Sequence, residues 1–252
     1  MGSVGASRNS AGTGVLPPAN QQNTSTTGGS DNDKLATFAA LSDAEKNKFF
    51  NSQQYKNTDL TGLNRGSETQ RLVTALDMNE KPTVLTDADF DATFKANALD
   101  GVYLFRGVTN NGRMQASAIV DSVKFGDKTF IGDGVHGDGI YFGTSYNYAS
   151  SYANGRTSGM MQAYIDKSKA RVIDEKDAQR LMRADTSGHR YSDISDFAIA
   201  KGYNVIRVPG GNNGTNYARS KGKASGYMDF YVPLTRSVLV IRDTVRRPST
   251  RN

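Results

Sequence analysis

The sequence predicts an α+β fold, in which a small N-terminal helical lobe precedes a domain of short strands. From Gly101 onward, apolar and aromatic segments of three to six residues are separated by loops rich in glycine and polar residues, a pattern typical of strands and turns. Before Gly101, apolar residues recur at helical spacing. Because few helices lie between the strands, the pattern favours an α+β class with a small antiparallel core.

The helical lobe is predicted over residues 34–99 from its start and stop signals. Ser42–Glu45 has the capping-box pattern, in which serine and glutamate side chains bond backbone amides at the helix start. Glu68–Met78 carries apolar residues at helical spacing, and Pro82 lies beyond its end. Thr86–Asp89 opens a third helix with two phenylalanines four residues apart. These helices are expected to form a lobe or lid packed on the rest of the chain.

Residues 100–245 are predicted to form the main domain. Its predicted strands are Val102–Phe105, Lys128–Ile131, Ile140–Phe142, Met160–Ile165, Ala170–Ile173, Asn204–Val208, Phe230–Val232 and Ser237–Ile241. Helices are expected over Tyr146–Tyr152, after Asp174 as a cap, and over Ser195–Lys201. Pro209–Gly226 is interpreted as a long polar loop, rich in glycine.

Two polar termini flank these domains. Met1–Asp33 is rich in Gly, Ser, Asn and Thr, so it buries too little apolar surface to offset its ordering entropy and is predicted to be a disordered arm. Residues 246–252 form a basic tail with Arg246, Arg247 and Arg251, in a chain of net charge +6 and isoelectric point about 9.4. The tail is expected either to be solvated or to contact nucleic acid or another acidic surface.

Composition excludes several classes of site. The 252 residues include no cysteine, which rules out disulfides and thiolate metal sites. With His136 and His189 as the two histidines, a zinc site of the usual kind is not expected, and no metal is predicted. No apolar run approaches the roughly 18 residues of a membrane-spanning helix. The N-terminus lacks the apolar core of a secretory signal, so secretion by that route is not expected.

Gly132–Ala153 is the segment most suggestive of a ligand pocket. It holds five glycines within twelve residues, followed by an aromatic strand and a short helix. Glycine is favoured where the backbone approaches a ligand closely, and the aromatic residues offer flat surfaces for a ring. His136 lies within the glycine loop and is placed to contact a ligand. The segment matches neither a dinucleotide-binding fingerprint nor a phosphate-binding P-loop.

Charged and hydroxyl residues flank that segment at the ends of strands. Arg106, followed by Gly107, ends an apolar strand, where a guanidinium is able to hold a phosphate, although an ordinary surface ion pair is the alternative. At the strand-to-helix junction, small and hydroxyl residues suit ribose or phosphate binding; they are Tyr141, Gly143, Thr144 and Ser145. Ser145 also fits a simple helix cap. Asp229 begins a late strand and becomes relevant to chemistry if it faces the same pocket.

Taken in order, these residues resemble the core of the ADP-ribosyltransferase superfamily. The family's strand ending in arginine matches Arg106 in YLFRG, and its Ser-Thr-Ser motif matches Gly143-Thr144-Ser145 in IYFGTS. Its late acidic strand matches Asp229 in YMDFYVPLTRSVLVI. ARVIDEKDAQRL and AIAKGYNVIRV are similar to connecting segments of phage head-associated transferase domains. Arg106 favours the arginine-serine-glutamate branch, and the resemblance covers about Asp100–Asp243.

The resemblance implies a fold, a substrate and a location. The implied fold is a split antiparallel β-sheet core that serves as the catalytic domain. The implied reaction is mono-ADP-ribosyl transfer from NAD to a side chain of a target protein, with NAD as the substrate and no metal. A phage-encoded protein of this kind is expected in the virion or the host cytoplasm, with a host protein as its target and no membrane partner.

The resemblance also implies a role for each matched residue. Asp229 would stabilise the oxocarbenium-like state and orient the ribose 2′-hydroxyl. Arg106 would hold the pyrophosphate or adenylate half of NAD, and Thr144 and Ser145 would fix Arg106 and the ribose. Tyr141 would pack near the nicotinamide. These roles make Asp229, Arg106 and Ser145 the expected catalytic residues.

One departure from the family pattern supports alternative functions. The family's Glu-x-Glu motif is replaced by Tyr227-Met228-Asp229, so the second acid is one methylene shorter and the first is a tyrosine. This favours, as one alternative, a non-catalytic structural or interaction module of a virion or other assembly. The basic residues of the long loop, Arg219, Lys221 and Lys223, would face the target, and together with the tail they favour, as another alternative, a transferase acting on nucleic acid.

Overall fold

The computed structural model describes residues 29–110, 115–154, 156–210 and 228–244, which combine helices with a mixed β-sheet. The α-helices are α1 (Asp31–Ala40), α2 (Asp43–Asn51), α3 (Gln53–Lys56), α4 (Glu68–Ala75), α5 (Asp87–Asn97), α6 (Ala116–Phe125), α7 (Tyr146–Tyr152), α8 (Glu175–Arg183) and α9 (Ile194–Ala200). The strands are β1 (Thr83–Leu85), β2 (Leu104–Gly107), β3 (Phe142–Gly143), β4 (Met160–Ile165), β5 (Val172–Asp174), β6 (Val205–Val208), β7 (Phe230–Pro233) and β8 (Leu239–Arg242). Helices and sheet in these proportions agree with the predicted α+β class.

The strands form one hydrogen-bonded sheet in the order β1-β8-β4-β2-β3-β7-β6-β5. The central pairings, from β8 across to β6, are antiparallel, whereas β1–β8 and β5–β6 are parallel. The antiparallel prediction is therefore wrong for the two outer pairs. The chain between β5 and β6 passes through α8 and α9, and a helical crossover of this kind can return the chain in the same direction.

The sequence did not predict α1, α3, α6 or β1. Helix α1 begins at Asp31, inside the predicted arm, because Ser30 and Asp33 form a capping box. Helix α6 lacks a side-chain cap at Gln115, so it carries no start signal. Strand β1 has three residues, too few to show a period, and it pairs with β8 through Val84 and Ile241.

The predicted strand Lys128–Ile131 is not a strand in the structure. Side-chain amides, rather than a neighbouring strand, accept from its backbone: Thr129 N–H donates to Asn79 Oδ1 at 3.2 Å and Ile131 N–H to Gln70 Oε1. These two amides are therefore satisfied by side chains distant in sequence and do not pair with a strand. The chain then continues into the glycine loop, which is closed by a backbone bridge between Gly132 and Gly139.

The N-terminal helices share one hydrophobic core with the sheet. Leu35 of α1 and Leu72 of α4 belong to the same buried cluster as Ile206 of β6 and Leu239 of β8. The predicted division at residue 99 therefore separates helices from most strands in sequence, but it does not separate two cores. The packing of this shared core fixes the sheet on which the candidate site is built.

Candidate functional site

A pocket of about 850 Å³ opens beside the centre of the sheet. Its walls come from β2, the glycine loop, β3, α7, the first turns of α8 and the start of β7. Aromatic rings supply much of its apolar surface; they are Phe105, Tyr141, Phe142, Tyr148, Tyr152 and Phe230. The volume falls within the usual range for small-molecule and cofactor sites.

Arg106 lines this pocket from the end of β2. Its Nη1 donates to the Tyr141 carbonyl at 3.1 Å, whereas its Nε is buried without a hydrogen-bond partner. No Asp or Glu of the described residues forms an ion pair with it. Burial lowers the pKa of Arg106 to about 10, so the guanidinium remains a cation at neutral pH.

Tyr141 connects Arg106 to the glycine loop. Its carbonyl accepts from Arg106, while its hydroxyl accepts from His136 N–H at 2.8 Å and donates to the Gly137 carbonyl. Burial is the main cause that raises the pKa of the Tyr141 phenol, so the hydroxyl stays protonated. A Cβ at Gly134 would overlap the Tyr141 ring, which explains a glycine at that position. The loop is thus held in place by a tyrosine that also lines the pocket.

His136 and Glu175 form a hydrogen-bonded pair in the same pocket. His136 Nδ1 lies 3.0 Å from Glu175 Oε1, and Gln179 Nε2 donates to the same oxygen at 3.2 Å. The His136 ring stacks on Phe230 with centroids 5.7 Å apart. Neither Glu175 nor Gln179 is among the predicted site residues, because an acid in the first turn of a helix is common and carries no signal of its own.

The three motif-bearing strands are neighbours in the sheet. β3 lies between β2 and β7, with Gly143 opposite both Phe105 and Phe230. Just beyond these strands, Thr144 N–H donates to the Asp229 carbonyl at 3.1 Å, and Asp229 N–H donates to Thr144 Oγ1 at 3.3 Å. The arginine strand, the central motif and the late acid, distant in sequence, therefore come together in space.

The structure places the predicted site residues in two groups. Five of them line the pocket: Arg106, Gly107, His136, Tyr141 and Gly143. The other three are Thr144, Ser145 and Asp229, which adjoin the lining residues but are not among them.

Ser145 and Asp229 each bond a nearby backbone N–H group. Ser145 accepts from Tyr148 N–H at 3.3 Å and caps α7, as its alternative interpretation predicted. Asp229 Oδ1 accepts from Gly210 N–H.

Asp174 caps α8 only by position. It occupies the predicted N-cap position of that helix, but its side chain makes no capping bond. Its carboxylate instead pairs with Arg207, whose Nε lies 2.8 Å from Asp174 Oδ1. His189 stacks on Phe50 with centroids 3.8 Å apart and is half-buried, away from the pocket.

Several predictions lie outside the described residues. They concern most of the N-terminal arm, most of the long polar loop with Arg219, Lys221 and Lys223, Tyr227, and the basic tail. Within the described ranges, no group of three or more His, Cys, Asp or Glu side chains is arranged to hold a metal ion. In the same ranges, no helix is both long and apolar enough to cross a membrane.

Comparisons with protein-family models, curated proteins and solved structures find no match for this chain.

Proposed function

We propose that the pocket binds NAD and that the protein transfers its ADP-ribose moiety to a side chain of a target protein. The observation that carries this proposal is the Arg106 guanidinium, which lines the pocket with a buried Nε and no acidic partner among the described residues. Arg106 as a whole is half-buried, and a partly desolvated cation without a counter-charge is costly. A phosphate in the pocket would offset that cost through charge-assisted hydrogen bonds.

The strand arrangement supports ADP-ribosyl transfer over simple anion binding. The resemblance to ADP-ribosyltransferases rests on three motifs, and the strands that carry them are consecutive neighbours in the sheet. Asp229 directly precedes Phe230, which lines the pocket. Asp229, the catalytic acid of the proposal, is therefore next in sequence to a lining residue, and its backbone bonds Thr144 of the central motif.

In the proposed reaction, positive charge moves from the nicotinamide ring to the ribose as the bond between them breaks. The bond between nicotinamide and ribose breaks, and the electron pair leaves with nicotinamide, which becomes neutral. Positive charge develops on the ribose until a nucleophile of the target attacks its anomeric carbon, and the proton of that nucleophile is released to solvent. Asp229 would stabilise that charge, because a preoriented carboxylate acts most strongly where charge develops in the transition state. Arg106 would hold the pyrophosphate throughout.

Incubation with NAD labelled in its adenylate half tests this function. The wild-type protein, mixed with a bacterial lysate, should label protein and release nicotinamide, both followed by mass spectrometry. D229N should reduce the rate by about a hundredfold or more and keep the fold, because the amide oxygen is still able to accept from Gly210. D127N is the matched control, since Asp127 is 98% exposed. Neither transfer nor NAD hydrolysis by wild type would contradict the proposal.

A non-catalytic NAD-binding module is the second candidate. It is favoured by the position of Asp229, whose side chain accepts from Gly210 N–H and is not among those lining the pocket. In that case calorimetry would detect binding of ADP-ribose while the labelled-NAD assay shows no turnover. Turnover that D229N abolishes would reject this candidate. Labelling of RNA or DNA instead of protein would identify a transferase acting on nucleic acid.

A further inference from the structure

The pocket contains two opposite charges that do not pair with each other. Arg106 lines it from β2, and Glu175 lines it from the first residue of α8. No ion pair joins them; the hydrogen-bond partner of Glu175 on the glycine loop is His136. The other acid in the pocket wall, Asp133, is exposed and accepts from Asn64. A pocket that holds an arginine and a glutamate without letting them neutralise each other suits a ligand that carries both charges.

Tyr141 makes hydrogen bonds at both of its ends, one end toward Arg106 and the other toward the glycine loop. Arg106 bonds its carbonyl, at the backbone end of the residue, while the loop that carries His136 and Gly137 bonds its hydroxyl, at the far end of the ring. The pair formed by His136 and Glu175 is therefore attached to the opposite end of the tyrosine from the guanidinium. A rigid aromatic side chain with few rotatable bonds is well suited to fix such a separation.

Glu175 is held as a preoriented carboxylate. Its Oε1 receives hydrogen bonds from two sides, His136 and Gln179, and its position at the start of α8 favours negative charge. Its side chain is 15% exposed, so its charge is only partly screened by water. Stacking of His136 on Phe230 adds an aromatic wall beside the carboxylate. Together these groups form an anionic, partly aromatic subsite suited to a flat cationic ring.

We infer that Glu175 recognises the positive charge of the oxidised nicotinamide ring, while Arg106 takes the pyrophosphate of the same dinucleotide. This inference rests on the proposed function and adds the substrate's redox form to it: the pocket selects NAD with a cationic ring over dinucleotides with a neutral ring. His136 acts as a positioning residue for Glu175. Because nicotinamide leaves as a neutral molecule, Glu175 loses its charged partner when the bond breaks, which favours product release.

A pair of non-hydrolysable analogues tests the charge preference without turnover. Carba-NAD keeps the cationic ring, whereas benzamide adenine dinucleotide has a neutral ring of nearly the same shape. Calorimetric titrations at about pH 8, above the range in which an imidazole ordinarily gains a proton, should show wild type binding carba-NAD about tenfold more tightly. E175Q should bind both analogues alike. D177N, two residues along α8 and outside this pocket, removes a charge from the same helix end and should keep the preference.

The positioning role of His136 has its own readout. H136F removes the hydrogen bond to Glu175 but leaves its charge, so it should reduce the preference for the cationic ring, whereas H136N, which retains a donor, should restore part of it. In steady-state assays E175Q should raise KM for NAD without lowering kcat, because the interaction is made with the ground state and is lost as the bond breaks.

Two outcomes would overturn the inference. One is equal affinity of wild type for the two analogues, and the other is a preference that survives in E175Q. If both analogues bind equally and labelled NAD is still turned over, the inference fails while the proposed function stands. If wild type binds neither analogue, nor ADP-ribose, the proposed function fails together with it.

Discussion

Asp196, which lies outside the pocket, is a single residue whose ionisation affects the stability of the protein. Its carboxylate is 3% exposed and accepts from the backbone N–H groups of Asp193, at 2.8 Å, and Ser192, at 3.0 Å. Burial outweighs these hydrogen bonds and raises the pKa of Asp196 from 3.8 to about 6. The folded state therefore holds this proton more tightly than the unfolded chain does.

The sign of the pH effect follows from that raised pKa. The protonated Asp196 stabilises the folded state, and this stabilisation is fully present below about pH 4. It is lost as the pH rises through about 6, which lowers the free energy of unfolding by up to ~3 kcal/mol. D196N cannot ionise, so its stability relative to wild type should increase between pH 4 and pH 7. Urea unfolding of D196N and wild type at both pH values measures this difference. The other titrating groups are the same in the two proteins, so their effects cancel. The stability of the exposed D127N control relative to wild type should not change with pH. If the relative stability of D196N is equally constant, the pKa of Asp196 is not raised.

At the residue scale, a side chain that stands out against its surroundings in sequence can be located at the pocket in the structure. Arg106 is conspicuous because it ends an apolar strand and is followed by glycine, and it lines the pocket. Glu175 is not conspicuous, since its only feature in sequence is an acid at a helix start. Its relation to His136 depends on how the glycine loop folds back toward α8, which no local pattern reports.

At the level of elements, the contact between β2 and α7 is the one that the site requires most directly. A Cβ at Gly107 would overlap the Ala149 carbonyl oxygen and would lie 2.8 Å from the Ala149 carbonyl carbon and 3.0 Å from Ala153 N. All three are backbone atoms of α7 and the turn after it, which are unable to rotate away. Gly107 therefore permits a close approach between helix and strand, besides lining the pocket.

G107A is expected to lower the free energy of unfolding by about 1–3 kcal/mol, the usual cost of overpacking. It should also weaken ligand binding, because β2 and α7 are both walls of the pocket. Chemical denaturation followed by circular dichroism measures the first effect. G66A is the matched control, since the nearest atom to its Cβ would be Asn64 Oδ1 at 3.8 Å, and its change should stay within about 0.5 kcal/mol. Equal stability of the two variants would refute the close-approach explanation.

Helices with a clear start signal in the sequence were predicted, and a helix without one was missed. Helix α2 was predicted from its capping box, and the box is present between Ser42 and Glu45. Helix α6 was missed because Gln115 makes no capping bond. The predicted strand at Lys128–Ile131 failed because side chains of Gln70 and Asn79, about 50–60 residues away in sequence, bond its backbone. Long-range contacts of this kind leave no periodicity in the sequence.

At the scale of the whole molecule, the shared core makes the N-terminal helices part of the same folding unit as the sheet. Leu72 of α4 is fully buried in the cluster that also contains Ile206 and Leu239. β1, which lies between α4 and α5 in sequence, extends the sheet through β8. The boundary at residue 99 was drawn from a change in local pattern, and local patterns do not report which faces pack together.

L72A should therefore destabilise the whole domain by about 2–5 kcal/mol in one cooperative transition. Hydrogen exchange tests this directly: the slowest amides of β4, at the centre of the sheet, should exchange faster by the same free energy. L181A is the matched control, because Leu181 is 38% exposed and its loss should have little effect. If α4 unfolds alone and the β4 amides keep their protection, the helices form an independent lobe.

The binding of NAD by the Arg106 pocket is the claim on which the functional proposals depend, and calorimetric titration of NAD tests it most directly. Wild type should bind, and R106Q should bind about ten- to a hundredfold more weakly, because a charge-assisted bond to phosphate contributes roughly 1.5–3 kcal/mol. R65Q, which removes an exposed arginine outside the pocket, should bind as wild type does. Undiminished NAD binding by a folded R106Q, or no binding by wild type, would contradict the claim.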